Sequence, residues 1–129
     1  MQPKIVLANG VFDLFHIGHL RYLEAARAMG DILVVSVTKD KFVNKGAGKP
    51  IYFEEDRIAV VRSIRCVDRA FLVTGASEAL LLRPHIFVKG REYENRIEQK
   101  HEEFCREHGI EIRFTDTEEK RPRDRLRLS

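Results

Sequence analysis

Two histidines near the amino terminus have the residue type and the spacing that phosphate chemistry needs. His16 and His19 lie three positions apart, with Gly18 between them, and they follow a run of four apolar residues at positions 5–8. Such a run is typical of a buried parallel strand, and apolar residues that recur at helical spacing up to Gly30 predict a helix after it. The two imidazoles would therefore share one face of the first turn of that helix.

The first turn of a helix is a ready site for anions. Its backbone N–H groups have no partners within the helix, and this end of the helix dipole is positive. Gly18 has no Cβ, so a phosphate group or another backbone segment can come close. We interpret the two imidazoles, the glycine and the helix start together as a phosphate cradle.

Two other interpretations of the histidine pair remain. A histidine at the start of a helix is often only solvated or hydrogen-bonded, without any special role. Two histidines one turn apart can also supply two of the ligands of a metal site, but within the predicted helix no Asp, Glu or Cys stands three or four positions from His16 or His19. We therefore predict no metal ligands in the protein itself.

The totals describe an ordinary globular domain. A chain of 129 residues with 43% hydrophobic and 33% charged residues is long enough to bury one core. No signal-peptide pattern is evident, and no run approaches the roughly 18 apolar residues of a membrane span. Cys66 and Cys105 match no metal or redox spacing, which is typical of free thiols in a reducing compartment. We therefore expect a cytoplasmic protein.

The formal net charge of +3 comes from the last ten residues. Residues 120–129 hold five of the 23 basic residues and only one of the 20 acidic residues. The rest of the chain is close to neutral, so no broad positive face is expected and nucleic-acid binding is not supported.

Strands and helices alternate along the chain. Apolar, β-branched runs and helical periodicity predict further strands at 31–38, 67–73, 85–88 and 110–114, and further helices at 54–65, 77–82 and 93–108. This alternation is typical of a parallel sheet with right-handed crossovers. We predict an α/β, Rossmann-like fold: a five-stranded parallel sheet in the order 3-2-1-4-5, flanked by helices. Its crevice would open where strands 1 and 4 diverge, beside the two histidines.

Polar residues follow the second strand at the same edge of the predicted sheet. Asp40 would contact a cation or an acceptor hydroxyl there, or merely cap the short segment 41–43. Lys45 and Lys49 lie in the glycine-rich loop 44–50, where flexible ammonium groups suit the β- and γ-phosphates of a nucleoside triphosphate. Lysines in a surface loop are also common without any such role.

Charged and aromatic residues further along complete the candidates. Arg57 and Arg65 lie eight positions apart in one predicted helix, so they would project from similar faces, towards the site or simply into solvent. After the fourth strand, Lys89 can neutralise phosphate, Glu92 can accept from a hydroxyl, and Tyr93 can stack on a ring.

The stretch from Gly10 to His19 resembles the signature of a known enzyme family. It reads Gly-Val-Phe-Asp-Leu-Phe-His-Ile-Gly-His, and it is similar to the nucleotidyltransferases that include glycerol-3-phosphate cytidylyltransferase and the adenylyltransferase domain of ADP-heptose synthase. The likeness runs from about residue 4 to residue 117. Class I aminoacyl-tRNA synthetases share the His-x-Gly-His element, but they are far longer and nothing here resembles their lysine-serine signature.

The resemblance implies a nucleotidyltransferase that transfers CMP or AMP from CTP or ATP to a small phosphorylated sugar or polyol, or to a phosphonate, releasing pyrophosphate. It implies Mg²⁺ as cofactor and a homodimer, with neither nucleic acid nor membrane as partner. The expected catalytic residues are His16, His19 and Lys45. The expected nucleotide-binding residues are Asn9, Gly10, Val11, Phe12, Gly18, Lys49, Lys89 and Thr115. The expected acceptor-binding residues are Asp40, Arg57, Arg65, Glu92 and Tyr93.

Two departures from the family pattern leave alternatives open. Relatives carry Gly-Asp-Tyr after a Val-Lys-Gly sequence, whereas this chain has Arg-Glu-Tyr. Relatives also begin a final helix with a Ser/Thr-rich triplet, which is replaced here by charged residues at 118–123. Either Thr115 and Thr117 take over its role, or Arg121 and Arg123 substitute for it electrostatically, or the grip on the nucleotide is lost.

We therefore divide the chain into a nucleotidyltransferase domain, residues 1–117, and a basic tail, residues 118–129, which is a truncated end or a linker. Two further functions remain as alternatives. The altered C-terminal motif would suit a catalytically weak, nucleotide-binding regulatory module. The odd end would also suit one domain of a bifunctional biosynthetic enzyme.

Overall fold

The computed structural model describes residues 2–116. In this part of the chain, five parallel strands form one sheet in the order β3-β2-β1-β4-β5. The strands are β1 (Ile5–Gly10), β2 (Ile32–Thr38), β3 (Arg69–Val73), β4 (Ile86–Gly90) and β5 (Glu111–Thr115). The helices are α1 (Ile17–Arg27), α2 (Glu54–Arg62), α3 (Ala76–Leu80) and α4 (Gln99–His108), with short 3-10 turns at Asp40–Phe42 and Arg91–Tyr93. The predicted Rossmann-like fold and its strand order are confirmed.

Alternate residues of the central strand point to opposite faces of the sheet, and helices cover both faces. Val6 clusters with Leu23 of α1 and Val61 of α2 on one face. Leu7 clusters with Leu80 of α3 on the other. All five side chains are excluded from solvent. Helices thus pack against both sides of β1, and the carboxyl end of β1 leads into the histidine turn.

The predicted end of the second helix is wrong. Helix α2 ends at Arg62 and not at residue 65, because the chain turns at Ser63 to enter β3. Arg65 consequently lies in an exposed turn ahead of β3, at the amino edge of the sheet. Arg57 and Arg65 therefore do not project from one helix face.

Two other helices are shorter than predicted. Helix α4 begins at Gln99 rather than at residue 93, since a 3-10 turn and a loop follow β4 first. Helix α3 stops at Leu80, and Arg83 takes a left-handed φ of 58° just before Pro84, as a proline disfavours helical backbone in the residue ahead of it. No helix within residues 2–116 is long and apolar enough to cross a membrane. Thr117 and the predicted basic tail lie outside the described residues.

Candidate active site

The turn that carries the two histidines is closed by a reciprocal pair of hydrogen bonds. His16 is the N-cap of α1, and its Nδ1 atom accepts from the backbone N–H of Gly18 at 3.0 Å. The backbone N–H of His16 in turn donates to Nδ1 of His19 at 3.1 Å. This is a capping box in which both side chains are imidazoles, with ring centroids 3.9 Å apart.

The capping box determines which nitrogen of each ring can donate. A neutral imidazole has one N–H and one acceptor nitrogen, and the bond made by one nitrogen assigns the proton to the other. Because both Nδ1 atoms accept, the protons of His16 and His19 are on Nε2. Each ring therefore carries an Nε2–H donor. A neutral ring of this kind can donate a hydrogen bond to a phosphate oxygen.

The backbone ahead of the histidines is strained in a way that shapes the site. Phe12 and Leu14 have left-handed φ angles of 56° and 50°, which are uncommon for bulky residues. The buried ring of Phe12 meets the ring of His19 edge-on, with centroids 5.5 Å apart. A Cβ on Gly10 would come within 2.9 Å of the Phe12 ring, so a glycine is needed there. The strained stretch thus supports His19 with an aromatic ring.

A cleft of about 200 Å³ opens beside His19, at the carboxyl ends of the strands. Ligands bind at this edge in open α/β sheets. Ten predicted site residues line it: Asn9, Gly10, Val11, Phe12, His19, Lys45, Lys89, Glu92, Tyr93 and Thr115. Four residues that were not predicted also line it: Asp13, Tyr22, Thr38 and Gly90. The sequence alone therefore identified most of the cleft.

Lys45 reaches the cleft from the loop between the Asp40–Phe42 turn and α2. Gly46 and Gly48 in this loop have left-handed φ angles of 99° and 76°. A Cβ at either glycine would meet nothing within 4 Å, so the tip of the loop stands clear of the rest of the protein. The loop can therefore bring an ammonium group to the cleft from above the sheet.

Asp13 fastens the end of this loop to the histidine turn. Its carboxylate accepts from the backbone N–H of Ile51 at 2.7 Å and of Tyr52 at 3.0 Å. Partial burial by itself raises the pKa of Asp13, but these two bonds, with the charges of Arg57 and Lys49, outweigh it and hold the pKa below its ordinary value. Asp13 is therefore ionised at neutral pH and joins two segments that line the cleft.

The opposite wall of the cleft is formed by the residues that follow β4. The ammonium group of Lys89 lies 4.3 Å from the centroid of the Tyr93 ring, within cation–π range. The carboxylate of Glu92 folds back over Gly90, where a Cβ would collide with it. This wall combines a cation, a carboxylate and an aromatic ring, which suits a ligand with hydroxyl or amino groups.

Thr115, at the end of β5, contributes a buried hydroxyl to the same wall. The residue is 2% exposed, and its Oγ1 atom makes no hydrogen bond to the part of the chain that the structure describes. Buried hydroxyls are nearly always bonded, so a bound ligand is a natural partner for this one.

Asp40 and Arg57 do not line the cleft. They form an ion pair with each other instead. The Nη2 atom of Arg57 donates to Oδ1 of Asp40 at 2.6 Å, and Arg57 is 2% exposed. Neither side chain is placed for the predicted contact with an acceptor. Arg65, at the opposite edge of the sheet, is not brought to the site either.

The three remaining candidates lie near the cleft without lining it. His16 and Gly18 are in the same turn as His19, directly joined to it by the capping box. Lys49 is close enough for its charge to lower the pKa of Asp13.

Three of the four residues that sequence reasoning missed had a usable signal. Asp13 lies inside the signature stretch, Gly90 ends the Val-Lys-Gly sequence, and Tyr22 lies one turn after His19 on the same helix face. The Tyr22 hydroxyl donates to the carbonyl of Val88 at 2.7 Å and so links α1 to β4. Thr38 is the last residue of β2, and nothing in its surroundings in the sequence distinguishes it.

Comparison with known proteins identifies the class of protein that this fold and cleft define. The family model described as cytidylyltransferase-like matches residues 7–123, which is nearly the whole chain. The chain belongs to the cytidylyltransferase-like family and is a nucleotidyltransferase.

Individual relatives point to one branch of that family. The chain is 43% identical over 102 residues to the bifunctional protein HldE of Helicobacter pylori (strain HPAG1), a match that covers 74% of this chain and 22% of that protein. It is 39% identical over 118 residues to HldE of Methylococcus capsulatus, covering 88% of this chain and 25% of that protein. The chain thus spans about a fifth to a quarter of the length of the curated relatives it matches.

A solved structure is similar over nearly the whole fold. It is the lipopolysaccharide core biosynthesis protein from Thermoplasma volcanium GSS1, with a TM-score of 0.76 and 28% identity. The match covers 91% of this chain and 99% of that chain.

Proposed function

We propose that this chain transfers a nucleotidyl group from a nucleoside triphosphate to a small phosphorylated acceptor and releases pyrophosphate. The observation that carries the proposal is the capping box, which gives His16 and His19 an Nε2–H donor each beside a cleft that Lys45 also lines. Three cationic or donor groups around one cleft match the inner phosphates of a nucleoside triphosphate.

The relatives favour one donor and one class of acceptor. The signature stretch resembles that of the adenylyltransferase domain of ADP-heptose synthase, and the curated relatives are bifunctional HldE proteins, so we propose ATP rather than CTP as the donor. The structural neighbour acts in lipopolysaccharide core biosynthesis, which favours a sugar phosphate over a polyol phosphate or a phosphonate as the acceptor.

The reaction exchanges one phosphorus–oxygen bond for another. An oxygen of the acceptor phosphate attacks the α-phosphorus, and the bond from that phosphorus to the bridging β-phosphate oxygen breaks, so that its electron pair leaves with pyrophosphate. The attacking oxygen is already ionised at neutral pH and needs no strong base. The barrier arises because one anion attacks another, so catalysis consists of positioning and electrostatic stabilisation.

Each group in or beside the cleft has a separate task in this proposal. His16 and His19 donate from Nε2 to oxygens of the α- and β-phosphates, where negative charge builds up in the transition state. Lys45, followed by Lys49 in the same loop, neutralises the departing pyrophosphate. On the opposite wall, Glu92 accepts hydrogen bonds from the uncharged part of a substrate, and Thr115 donates a hydrogen bond to it.

We propose Mg²⁺ as the cofactor, bound chiefly through the triphosphate. Within residues 2–116, no group of three or more His, Cys, Asp or Glu residues is arranged to hold a metal ion. Mg²⁺ commonly takes phosphate oxygens, waters and only one or two carboxylates, so it does not need a dedicated set of protein ligands. When bound, the ion would neutralise charge on the phosphates.

A substrate panel tests the reaction. We would incubate the chain with ATP or CTP, each combined with heptose 1-phosphate, glycerol 3-phosphate or a small phosphonate, and measure released pyrophosphate. We expect release with ATP and the sugar phosphate, and none without an acceptor. Binding of nucleotide in a thermal-shift assay without any release would instead favour the regulatory module that the altered residues 118–123 leave open.

The homodimer is also a proposal, and an exposed apolar surface behind the site supports it. Leu14, Tyr52 and Val60 are 47%, 49% and 42% exposed and line a groove that adjoins Phe12. Contiguous exposed apolar groups mark interaction surfaces. Sedimentation should show a dimer that Val60→Glu converts to a monomer, whereas Leu81→Glu, at an exposed leucine after α3, should leave it intact.

A further inference from the structure

Arg57 is a fully buried cation that connects three separate segments of the chain. Its side chain is 1% exposed. Nη1 donates to the carbonyl of Val11 at 2.7 Å, Nε donates to the carbonyl of Tyr52 at 3.0 Å, and Nη2 donates to Asp40 at 2.6 Å. Burying a guanidinium is costly unless it is hydrogen-bonded, and here each of its three nitrogen atoms donates to an acceptor.

Two of the three acceptors belong to the segments that carry the phosphate-binding candidates. Val11 lies in the signature stretch that leads to His16 and His19. Tyr52 ends the loop that carries Lys45. The carboxylate of Asp13 joins the same two segments a second time, through the backbone N–H groups of Ile51 and Tyr52.

Asp40 anchors this arrangement to the sheet and to α2. It follows the end of β2, and its backbone N–H donates to Oε1 of Glu54 at 2.7 Å. The backbone N–H of Glu54 donates back to Oδ2 of Asp40 at 3.2 Å. The guanidinium is therefore paired with a carboxylate that is itself bonded to the first turn of α2, in addition to its bonds to the two segments.

We propose that Arg57 is a positioning residue that sets the distance between the histidine turn and the Lys45 loop. This inference rests on the proposed function, in which the imidazoles and the lysine must meet one triphosphate at the same time. Arg57 has no contact with the cleft and acts through Val11 and Tyr52. A displacement of about 1 Å in such groups can lower a rate roughly a hundredfold.

Arg57→Lys is the first variant that tests this proposal. Lysine keeps the charge, but its single nitrogen cannot reach three acceptors in three directions. We expect kcat to fall by about tenfold to a hundredfold, with a smaller change in KM for the nucleotide, because the affected donors act mainly in the transition state. Hydrogen exchange should accelerate in residues 9–16 and 43–53 and remain unchanged in β4 and β5.

A matched control and a second variant keep the test decisive. Arg62 is on the same helix, is exposed, and also donates to a backbone carbonyl, that of Ala70. Arg62→Lys should therefore stay within about twofold of the unmodified chain. Asp40→Asn removes the anchoring charge at a side chain that is 35% exposed, and it should shift kcat and exchange in the same direction if Arg57→Lys does not fold.

Two results would overturn the proposal. One is a folded Arg57→Lys protein whose exchange in both segments and whose kcat match the unmodified chain. The other is faster exchange across the whole sheet with kcat unaffected, which would show a purely structural role. If the unmodified chain releases no pyrophosphate with any substrate, the proposed function fails, while the exchange of the two segments still decides whether Arg57 couples them.

Discussion

His16 and His19 are bonded to each other through the backbone of the turn that they share: the N–H of His16 donates to the ring of His19 at 3.1 Å. The ring of His16 meanwhile accepts from the N–H of Gly18. The orientation of both rings is thus determined before any ligand binds. Donors that are already aimed need no reorganisation during a reaction, which is the main source of electrostatic catalysis.

Replacing His19 should remove most of the activity. His19→Ala deletes one donor to the inner phosphates and one half of the capping box, so we expect kcat to fall about a hundredfold to a thousandfold. Pyrophosphate release under saturating substrate measures it. His108→Ala, an exposed histidine at the end of α4, is the control and should leave kcat unchanged. Activity of the His19 variant within about tenfold of the unmodified chain would contradict the assigned role.

The protonated nitrogen of each ring is open to direct observation. Nitrogen-15 NMR of the imidazole side chains at neutral pH should show the Nε2–H form for both His16 and His19. His85 gives an internal reference, because its Nδ1 also accepts from a backbone N–H, that of Ile5, at 2.9 Å. A proton on Nδ1 of either active-site ring would show that the capping box does not form in solution.

Thr115 should affect the ligand and not the fold. The buried Oγ1 atom of Thr115 makes no hydrogen bond within residues 2–116. Thr115→Val therefore removes no hydrogen bond from this part of the chain and should not lower the free energy of unfolding. A lost bond to ligand of about 0.5–1.5 kcal/mol corresponds to a roughly twofold to tenfold weaker affinity for nucleotide. Titration calorimetry with ATP measures the affinity. The same change at exposed Thr74 should alter neither quantity, and an unchanged affinity for Thr115→Val would remove Thr115 from the site.

Asp13 should stabilise the fold only above acidic pH. Its pKa is lower in the folded chain than in the unfolded chain, so its contribution to stability is present above about pH 4 and is lost as the pH falls through the folded value. Asp13→Asn leaves one carbonyl acceptor for two N–H donors and should be less stable at neutral pH. The difference in the free energy of unfolding, measured with urea, should shrink at acidic pH. A difference for Asp13→Asn that stays constant with pH would refute the explanation.

Much of the fold followed from local patterns. Buried apolar runs separated by helical periodicity predicted every strand, and their alternation predicted the parallel sheet, since only crossovers can join parallel neighbours. The boundaries were less accurate where a turn had to redirect the chain. The periodicity of α2 continues past Arg62, but the chain must leave the helix there to reach β3, so Arg65 lies far from Arg57.

The amino-acid sequence by itself determined the sheet, its carboxyl edge and the histidine turn, because strand burial, helix starts and glycine positions are local properties. Only the tertiary structure decided what Arg57 and Asp40 do, because their partners are up to 46 positions away in the chain. From the sequence, a charged residue in a helical pattern such as Arg57 is expected to be exposed. Only the folded structure brings two backbone carbonyls and one carboxylate to its guanidinium. Burial of Thr115 was likewise invisible, since β5 places its hydroxyl beside the cleft only after β4 has paired with it.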